Sequence, residues 1–290
     1  MTSWVSIDQD KCDGCGICAL RCQLCFKKKG DEMTVQADES CCNLCGHCAA
    51  LCPTDAIVCH KLDMDNFIAI KGGPAYDTDE FISFLRQRRS HRLFKKKPIP
   101  KKDLEKLVDV CRYAPTGSNV QNVHILMVQG TDKRQRLSDL TVDFFDEIGG
   151  KAQKRIERLK AEGKPLTEEL DNLQSTLQYR DKLVLAKKVG FDPIFYQAPA
   201  VIVFHSPAQT SAPKDNCVIA STTLGLVART MGLETTYIGL FNAAAAGYEP
   251  LKKELNLPLG HQVFSTLIVG YPKLKFLKTV DRKPIMTRWE

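Results

Sequence analysis

The chain has 290 residues, of which 43% are hydrophobic and 26% charged, and its formal net charge is +7 at pH 7. This length suits one large domain or two ordinary ones. No stretch approaches the roughly 18 uncharged apolar residues of a membrane helix, and the first eleven residues lack the apolar core of a signal peptide. We therefore expect a cytoplasmic protein without a membrane partner.

The charge is unevenly distributed along the chain. Residues 1–75 hold 7 Lys/Arg and 10 Asp/Glu, whereas the remainder holds 34 and 24. A basic domain first suggests a nucleic-acid partner, but no nucleic-acid motif accompanies these residues and they are partly spread along predicted helices. We expect an anionic cofactor or an acidic redox partner instead, and no nucleic acid.

Eleven of the thirteen cysteines lie between residues 12 and 59. Such clustering is typical of metal binding in a reducing compartment rather than of disulfides. Residues 12–22 and 42–52 each match C-x₂-C-x₂-C-x₃-C, a pattern in which the fourth cysteine binds the other cluster. The spacing predicts two [4Fe–4S] clusters, one on Cys12, Cys15, Cys18 and Cys52, the other on Cys22, Cys42, Cys45 and Cys48.

Residues 3–60 resemble the bacterial-type two-cluster ferredoxins over their whole length. Gly14, Gly16 and Gly46 permit the tight turns that this ligand spacing needs. Gln23 stands where that family usually has proline, and Cys25 follows at another two-residue spacing, so Cys25 could replace Cys22 as a ligand. Structural zinc is disfavoured because its cysteine pairs are usually a dozen or more residues apart.

The breaker at 71–74, Lys-Gly-Gly-Pro, predicts a domain boundary, with a first domain over 1–72 and a second over 73–290. A helix is expected next, because Asp77 and Glu80 form a capping box and apolar residues repeat on one face. Another helix is expected between Pro100 and Pro115. The predicted apolar stripes are Phe81, Phe84 and Leu85 in the first helix, and Leu104, Leu107, Val108 and Cys111 in the second.

Short apolar runs in the second domain predict strands, and helical patterns separate them. The charged, helix-prone segment at about 141–192 predicts an insertion of one or two amphipathic helices. Alternating elements of this kind indicate a layered α+β domain. The predicted strands are Val123–Val128, Ala200–Phe204, Thr235–Leu240 and Val263–Val269, with a helix at Asn216–Met231.

Several short motifs occur in a fixed order along the second domain. They are Arg-Arg-Ser-His-Arg at 88–92, Pro-Thr-Gly-Ser-Asn at 115–119, Thr-Tyr-Ile-Gly at 236–239, Gly-Tyr-Pro at 270–272 and Arg-Lys-Pro at 282–284. On these motifs, residues 77–290 resemble the FMN-dependent nitroreductase family. The whole chain looks like the ferredoxin–nitroreductase fusions of anaerobic bacteria and archaea. The resemblance implies a central, mostly antiparallel sheet.

The resemblance also implies an FMN site in a homodimer, with the flavin at the subunit interface. Arg282 would close on the FMN phosphate, and Thr116 and Asn119 would reach the flavin of the partner subunit. The phosphate and the pyrimidine edge would be held by Arg88, Arg89, Ser90 and Arg92, and the strand facing the flavin ring would be Tyr237, Ile238 and Gly239. Residues 121–123, Gln-Asn-Val, depart from the family's Gln-Pro-Trp, and the 141–192 insertion lies where the family varies its active-site lid.

These motifs predict an oxidoreductase that reduces nitroaromatic, quinone or similar small acceptors through FMN, without a catalytic side chain. We expect electrons to reach the flavin through the two clusters, with an external ferredoxin as a donor. Whether NAD(P)H also reduces the flavin, bound directly over the ring as the resemblance implies, stays open. Two alternatives stay open: a non-catalytic electron-transfer or redox-sensing protein, and a specialised chemistry such as reductive dehalogenation or flavin fragmentation. The last consumes oxygen and fits poorly beside [4Fe–4S] centres.

Overall fold

The computed structural model describes residues 3–30, 32–35, 40–73, 76–162 and 168–290. Contacts divide the chain into two units. The first comprises the residues up to Asp77 together with Ser118–Val120, and the second comprises Thr78–Gly117 and Gln121–Glu290. The division follows the 71–74 breaker within a few residues; Pro74 itself lies outside the described residues.

The first unit contains two small antiparallel sheets and two short helices. Strand β1 pairs with β4, and β2 pairs with β3. A core that includes Val5, Phe26, Met33 and Ile57 lies under the cysteine loops. The elements are β1 Val5–Ile7, α1 Ile17–Arg21, β2 Phe26–Lys29, β3 Glu32–Val35, α2 His47–Leu51, β4 Ile57–Cys59 and a 3₁₀ turn at Met64–Asn66.

The two cysteine runs fold alike. Helix α1 begins after Gly16, with φ 76°, and α2 begins after Gly46, with φ 69°. Gly14 also adopts positive φ, at 68°, but the matching position in the second run is Leu44, with φ 55°. A side chain in this left-handed region costs about 1 kcal/mol. The second loop therefore keeps the geometry of the first without its glycine.

The second unit is built on a four-stranded sheet in the order β5-β6-β8-β7, with every pair antiparallel. This confirms the predicted α+β class with an antiparallel sheet. The elements are α3 Thr78–Gln87, α4 Lys101–Asp109, β5 His124–Val128, α5 Thr131–Ala161, α6 Glu168–Lys188, β6 Ala200–Pro207, α7 Pro213–Thr230, β7 Glu234–Tyr237, α8 Gly239–Gly247, α9 Glu249–Leu255 and β8 His261–Gly270.

Strand β6 lies at the centre of the core and is buried on both faces. Val201 and Val203 pack into one apolar cluster with residues of α5, α8 and α9. Ile202 and Phe204 pack into a second cluster with residues of α4 and α7. Burial on both faces explains why β6 is a continuous apolar run rather than an alternating one.

Three expectations need correction. The predicted strand Thr235–Leu240 is too long, because β7 ends at Tyr237 and the alanine-rich α8 begins at Gly239. Two helices do occupy the charged segment, but α5 begins at Thr131, ten residues before the predicted insertion. The predicted stripe of α3 is not core: Phe81 is 48% exposed and Leu85 is 40% exposed. Among the described residues, no helix is long and apolar enough to span a bilayer.

Three histidines meet at one end of the sheet. His205 of β6 lies opposite His124 of β5, and its Nδ1 is 2.9 Å from Nδ1 of His261. His205 is only 5% exposed. Burial, followed by the neighbouring His261 and His124, lowers the pKa of His205 to about 4. The folded protein therefore holds this imidazole neutral, as a stacked and hydrogen-bonded core group.

This cluster predicts a loss of stability in acid. An unfolded histidine has a pKa of about 6.5, so the unfolded chain binds the proton first. Above pH 6.5 His205 is neutral in both states and does not reduce the free energy of unfolding. As the pH falls toward 4, protonation of His205 in the unfolded chain lowers the free energy of unfolding by about 3 kcal/mol. Urea unfolding of the second unit at several pH values should show this slope, and His205→Gln should flatten it. The exposed His60→Gln should leave the slope unchanged; an equally steep slope in His205→Gln would contradict the assignment.

Candidate functional site

The basic segment 88–92 directly follows α3 and lies along β7, the edge strand of the sheet. The buried His91 holds the segment against β7, because its N–H donates to the Thr235 carbonyl at 3.3 Å. The Thr236 hydroxyl donates to the His91 carbonyl. Burial, and then the nearby Arg229, lower the pKa of His91. Because His91 points inward, its neighbours Ser90 and Arg92 are exposed.

The C-terminal segment is joined to the same edge. Residues 93–95 run beside 271–273, with the Lys95 N–H donating to Tyr271 O and the Lys273 N–H to Leu93 O, both at 2.9 Å. Further along, Arg89 Nη2 donates to the carbonyl of Val280 at 3.4 Å. The fold therefore brings the segment that carries Arg282 back to the basic segment, although the two are separated by nearly the whole domain in sequence.

Three guanidinium groups converge here: those of Arg88, Arg89 and Arg282. Desolvation, and then the charges of Arg282 and Arg88, lower the pKa of Arg89. In the described part of the chain, none of the three forms an ion pair with a carboxylate, and Arg89 Nε is buried without a hydrogen-bond partner. The Glu234 carboxylate lies within electrostatic range of Arg88 without forming an ion pair with it. Converging guanidiniums of this kind fit a phosphate, whose oxygens accept paired N–H bonds.

Arg92 lies against the loop at 189–199 that leads into β6. Its Cζ is 5.7 Å from the ring centroid of Tyr196. Tyr196 and Gln197 both have φ of 53°, so the loop turns sharply. Asp192 stabilises this turn: its carboxylate accepts the N–H groups of three loop residues and the Ser138 hydroxyl. The distances are 3.1 Å to Ile194, 2.9 Å to Phe195, 3.2 Å to Gln197 and 2.6 Å to Ser138 Oγ.

Replacing Asp192 with asparagine should destabilise the second unit by about 3 kcal/mol, because it removes charge-assisted bonds from a buried acceptor. Asp192 is 1% exposed, and Arg134 Nε lies 3.7 Å from it. Urea unfolding followed by circular dichroism gives the free energy. The matched change Asp171→Asn on the exposed face of α6 should shift it by less than about 0.5 kcal/mol. Equal effects of the two changes would show that Asp192 does not support the loop.

The predicted flavin-facing strand ends at the start of α8. Ile238 N–H donates to Thr266 O at 2.9 Å, and the Tyr237 hydroxyl is 2.8 Å from Thr222 Oγ1. Helix α8 begins at Gly239, so its first amides have no acceptor within the helix and attract negative charge. A Cβ at Gly239 would meet no atom within 4 Å, which leaves open space beside these amides.

Thr116 belongs to a loop fixed on α7. Its Oγ1 accepts the N–H of Gln121 at 3.1 Å, and the Gly117 N–H donates to Oδ1 of the buried Asn216 at 2.9 Å. Gly117 approaches the start of α7 closely, since a Cβ there would lie 2.6 Å from Ser211 Oγ and would displace that hydroxyl. Asn119 falls in Ser118–Val120, which belongs to the first unit.

In the first unit, the four cysteines assigned to one cluster surround a single cavity. Its lining includes Cys12, Cys15, Cys18 and Cys52. The N–H of Ala56 donates to Cys52 Sγ at 3.3 Å. Burial of Cys52 acts to raise its pKa, but hydrogen bonds from the Thr54 and Ala56 backbone outweigh it, so the pKa is lowered. The thiolate, the form that binds iron, is thereby favoured.

The second cysteine group is also close together. Burial, and then neighbours that include Cys48 and Cys45, raise the pKa of Cys42, and Cys22 contacts the more deeply buried Cys25. Across the described ranges, no three His, Cys, Asp or Glu side chains are arranged to hold one metal ion. In a four-iron cluster each thiolate binds a different iron, so the ligands need not meet at one point. All-sulfur donor sets suit iron–sulfur clusters, and both cluster assignments stay predictions.

Comparison with known proteins gives the family of the second unit. The model of the Nitroreductase family matches residues 85–271, whereas no curated protein matches the chain. A nitroreductase with bound FMN from Bacteroides fragilis superposes with a TM-score of 0.55 at 19% identity, over 73% of this chain and 100% of that one. A BluB-like flavoprotein from Clostridium difficile gives 0.54 at 17% identity, over 70% and 94%.

An iodotyrosine deiodinase bound to FMN and 3-iodo-L-tyrosine gives a TM-score of 0.51 at 17% identity, over 72% of this chain and 98% of that one. These likenesses agree with the antiparallel sheet and the surrounding helices described above. The matched range includes the basic segment 88–92, the Thr116 loop and the β7–α8 junction. The chain therefore belongs to the nitroreductase family and is an oxidoreductase of that family.

Proposed function

We propose that this protein uses FMN to reduce nitroaromatic, quinone or related unsaturated acceptors, with electrons entering through two [4Fe–4S] clusters. The observation that carries the flavin part is the convergence of Arg88, Arg89 and Arg282, none of which forms an ion pair with a carboxylate in the described residues. Family membership and the fold shared with FMN-bound nitroreductases support it.

The three guanidiniums would hold the FMN phosphate, with Arg89 Nε available as an unsatisfied donor. Ser90 and Arg92 are exposed beside them and would face the pyrimidine edge of the ring. The stacking of Arg92 against Tyr196 limits its rotamers, so less entropy is lost when it binds. His91 would hold the segment in place along β7 through its backbone bonds and would not itself contact FMN.

FMN, when bound, supplies the two-electron redox chemistry. Negative charge develops on the pyrimidine side of a reduced flavin, and a fixed positive group there stabilises it. Arg92 and the free amides at Gly239 are suited to this role, because both are held by the fold before any ligand arrives. No side-chain nucleophile is needed for this reaction.

The N-terminal cysteines would provide the route for electrons. Covalent attachment raises the effective concentration of a carrier at the flavin by orders of magnitude over a separate protein. The eight predicted ligands are thiols on two loops of matching geometry, and one set of four lines a common cavity. An external ferredoxin would act as the donor to the clusters, whereas NAD(P)H, if used, would transfer hydride to the flavin directly.

A homodimer is supported by apolar side chains that the second unit leaves exposed. Phe81, Ile82 and Leu85 form such a face on α3, and Val218 and Ile219 lie on the outside of α7. Apolar surface of this kind marks interaction sites. In the dimer, Thr116 and Asn119 would reach the flavin of the partner subunit.

The proposal is tested by anaerobic purification followed by cofactor analysis and turnover. We expect FMN to be released on denaturation and a nitroaromatic and a quinone to be reduced in the presence of a low-potential donor. A halogenated phenol tests reductive dehalogenation by halide release. Halide release without nitro or quinone reduction would assign the dehalogenation alternative. Bound flavin without turnover of any acceptor would assign the electron-transfer alternative. Protein that cannot bind FMN would overturn the proposal and both alternatives.

A further inference from the structure

Three cysteines of the first unit lie outside the two predicted ligand sets, and all three gather at one of them. Cys25 contacts Cys22 and Cys41, and Cys59 Sγ is 4.0 Å from Cys48 Sγ. The cavity formed by Cys12, Cys15, Cys18 and Cys52 has no further cysteine in its described lining. The additional thiols therefore all lie beside the second predicted ligand set.

Cys25 and Cys41 are the closest pair of thiols. Their Sγ atoms are 3.2 Å apart, and Cys25 Sγ also donates to the Cys41 carbonyl at 3.4 Å. A disulfide has an S–S distance of about 2.05 Å, so closing this pair needs a movement of about 1 Å. All thirteen cysteines lie in the described part of the chain, and each carries a thiol there.

The backbone around this pair is fixed on the Cys25 side. The N–H groups of Cys25 and Phe26 both donate to Cys22 O, at 3.2 Å and 3.1 Å, and Phe26 then pairs with Val35 at the start of the β2–β3 hairpin. Cys25 is 4% exposed within the core, whereas Cys41 is only partly buried. An oxidant from solvent therefore reaches Cys41 first, and Cys25 is already in contact as the resolving thiol.

We infer that Cys25 and Cys41 form a redox-sensitive dithiol that a peroxide converts reversibly to a disulfide beside the second cysteine group. The Cys41 sulfur attacks one peroxide oxygen, the O–O bond breaks and water leaves, giving a sulfenic acid. The Cys25 sulfur then attacks that sulfur, the S–O bond breaks and a second water leaves. Two thiols and one hydrogen peroxide thus give one disulfide and two waters.

The disulfide would link the chain just after Cys22 to the residue just before Cys42. It would brace two segments that carry predicted ligands of the same cluster, without using any of the eight ligand sulfurs. The inference stands on the thiol geometry and does not need the flavin chemistry, so it can fail or hold independently of the proposed function.

The test treats anaerobically purified full-length protein with hydrogen peroxide, alkylates the remaining thiols and maps tryptic peptides by mass spectrometry. Trypsin separates Cys25, in peptide 22–27, from Cys41, in peptide 30–61. We expect peroxide to join these peptides through Cys25 and Cys41, and a thiol reductant to separate them. The iron content of the protein should be the same before and after the cross-link forms. A closed loop within peptide 22–27 would instead indicate a Cys22–Cys25 bond and overturn the inference.

Two variants make the result specific. Cys41→Ser should abolish the cross-link, whereas Cys59→Ser, which removes a neighbouring thiol of the same group, should leave it intact. The partly exposed Cys41 is chosen because its loss disturbs the core less than loss of Cys25. A cross-link that persists in Cys41→Ser, or one that forms only in step with iron loss, would overturn the inference.

Discussion

Replacing Arg89 with alanine is expected to weaken FMN binding by about a hundredfold, because it removes charge-assisted hydrogen bonds to the phosphate. The apoprotein should be no less stable than the parent. In the folded chain the Arg89 guanidinium lies near those of Arg88 and Arg282. Desolvation is the largest cause of its lowered pKa, and the charges of Arg282 and Arg88 lower the pKa further. Losing one of three like charges relieves repulsion when no anion is bound.

Fluorescence titration of apoprotein with FMN measures the first effect, and urea unfolding measures the second. Arg89→Lys should recover only part of the affinity, because an ammonium cannot form the planar paired contact. The exposed Arg86 in the last turn of α3 provides the control, and Arg86→Ala should bind FMN as the parent does. Equal losses of FMN affinity in Arg86→Ala and Arg89→Ala would show that FMN is held by a general basic surface and not by a specific site.

Replacing Cys45 with serine is expected to remove one of the two clusters, about four of about eight irons per chain. Cys45 is exposed on the second loop, where a serine hydroxyl is a poor ligand for iron. FMN content should be unchanged, since the residues proposed to hold the FMN phosphate lie in the second unit. Turnover with an external low-potential donor should fall by about a hundredfold, the advantage that attachment of the carrier gives.

Cys59→Ser is the matched control for this change. Cys59 is a buried thiol of the same unit, and its Sγ lies 4.0 Å from Cys48 Sγ, but it is outside the predicted ligand sets. This variant should keep its full iron and its turnover. Loss of iron in Cys59→Ser together with full iron in Cys45→Ser would show that the ligand assignment is wrong.

Local patterns predicted much of the second unit. The uninterrupted run Ala200–Phe204 is buried on both faces, and such a run needs a central strand. Helix α4 has the expected buried residues, Leu104 and Leu107. The predicted end of β7 is too late because Thr235–Ile238 has the composition of a strand and Leu240 follows a single glycine. Only the alanines after Leu240 favour the helix that begins at Gly239.

Residues that support the site through long-range contacts could not be predicted in the same way. The His91 carbonyl is bound by the Thr236 hydroxyl, 145 positions away, and no local pattern encodes such a pair. Asp192 gave a partial signal, since Asp-Pro favours a turn, but its four partners became visible only in the fold. The stripe on α3 predicts the helix correctly, yet periodicity does not distinguish a side that packs on the core from a side that stays exposed.

The most direct test of the account is a stopped-flow experiment in which a reduced external ferredoxin is mixed with the oxidised protein under anaerobic conditions. The account predicts that cluster absorbance bleaches first and that flavin reduction follows it. In a Cys15→Ser/Cys45→Ser variant with normal FMN content, flavin reduction should be about a hundredfold slower. Flavin reduction at the same rate in the parent and in this variant would contradict the account.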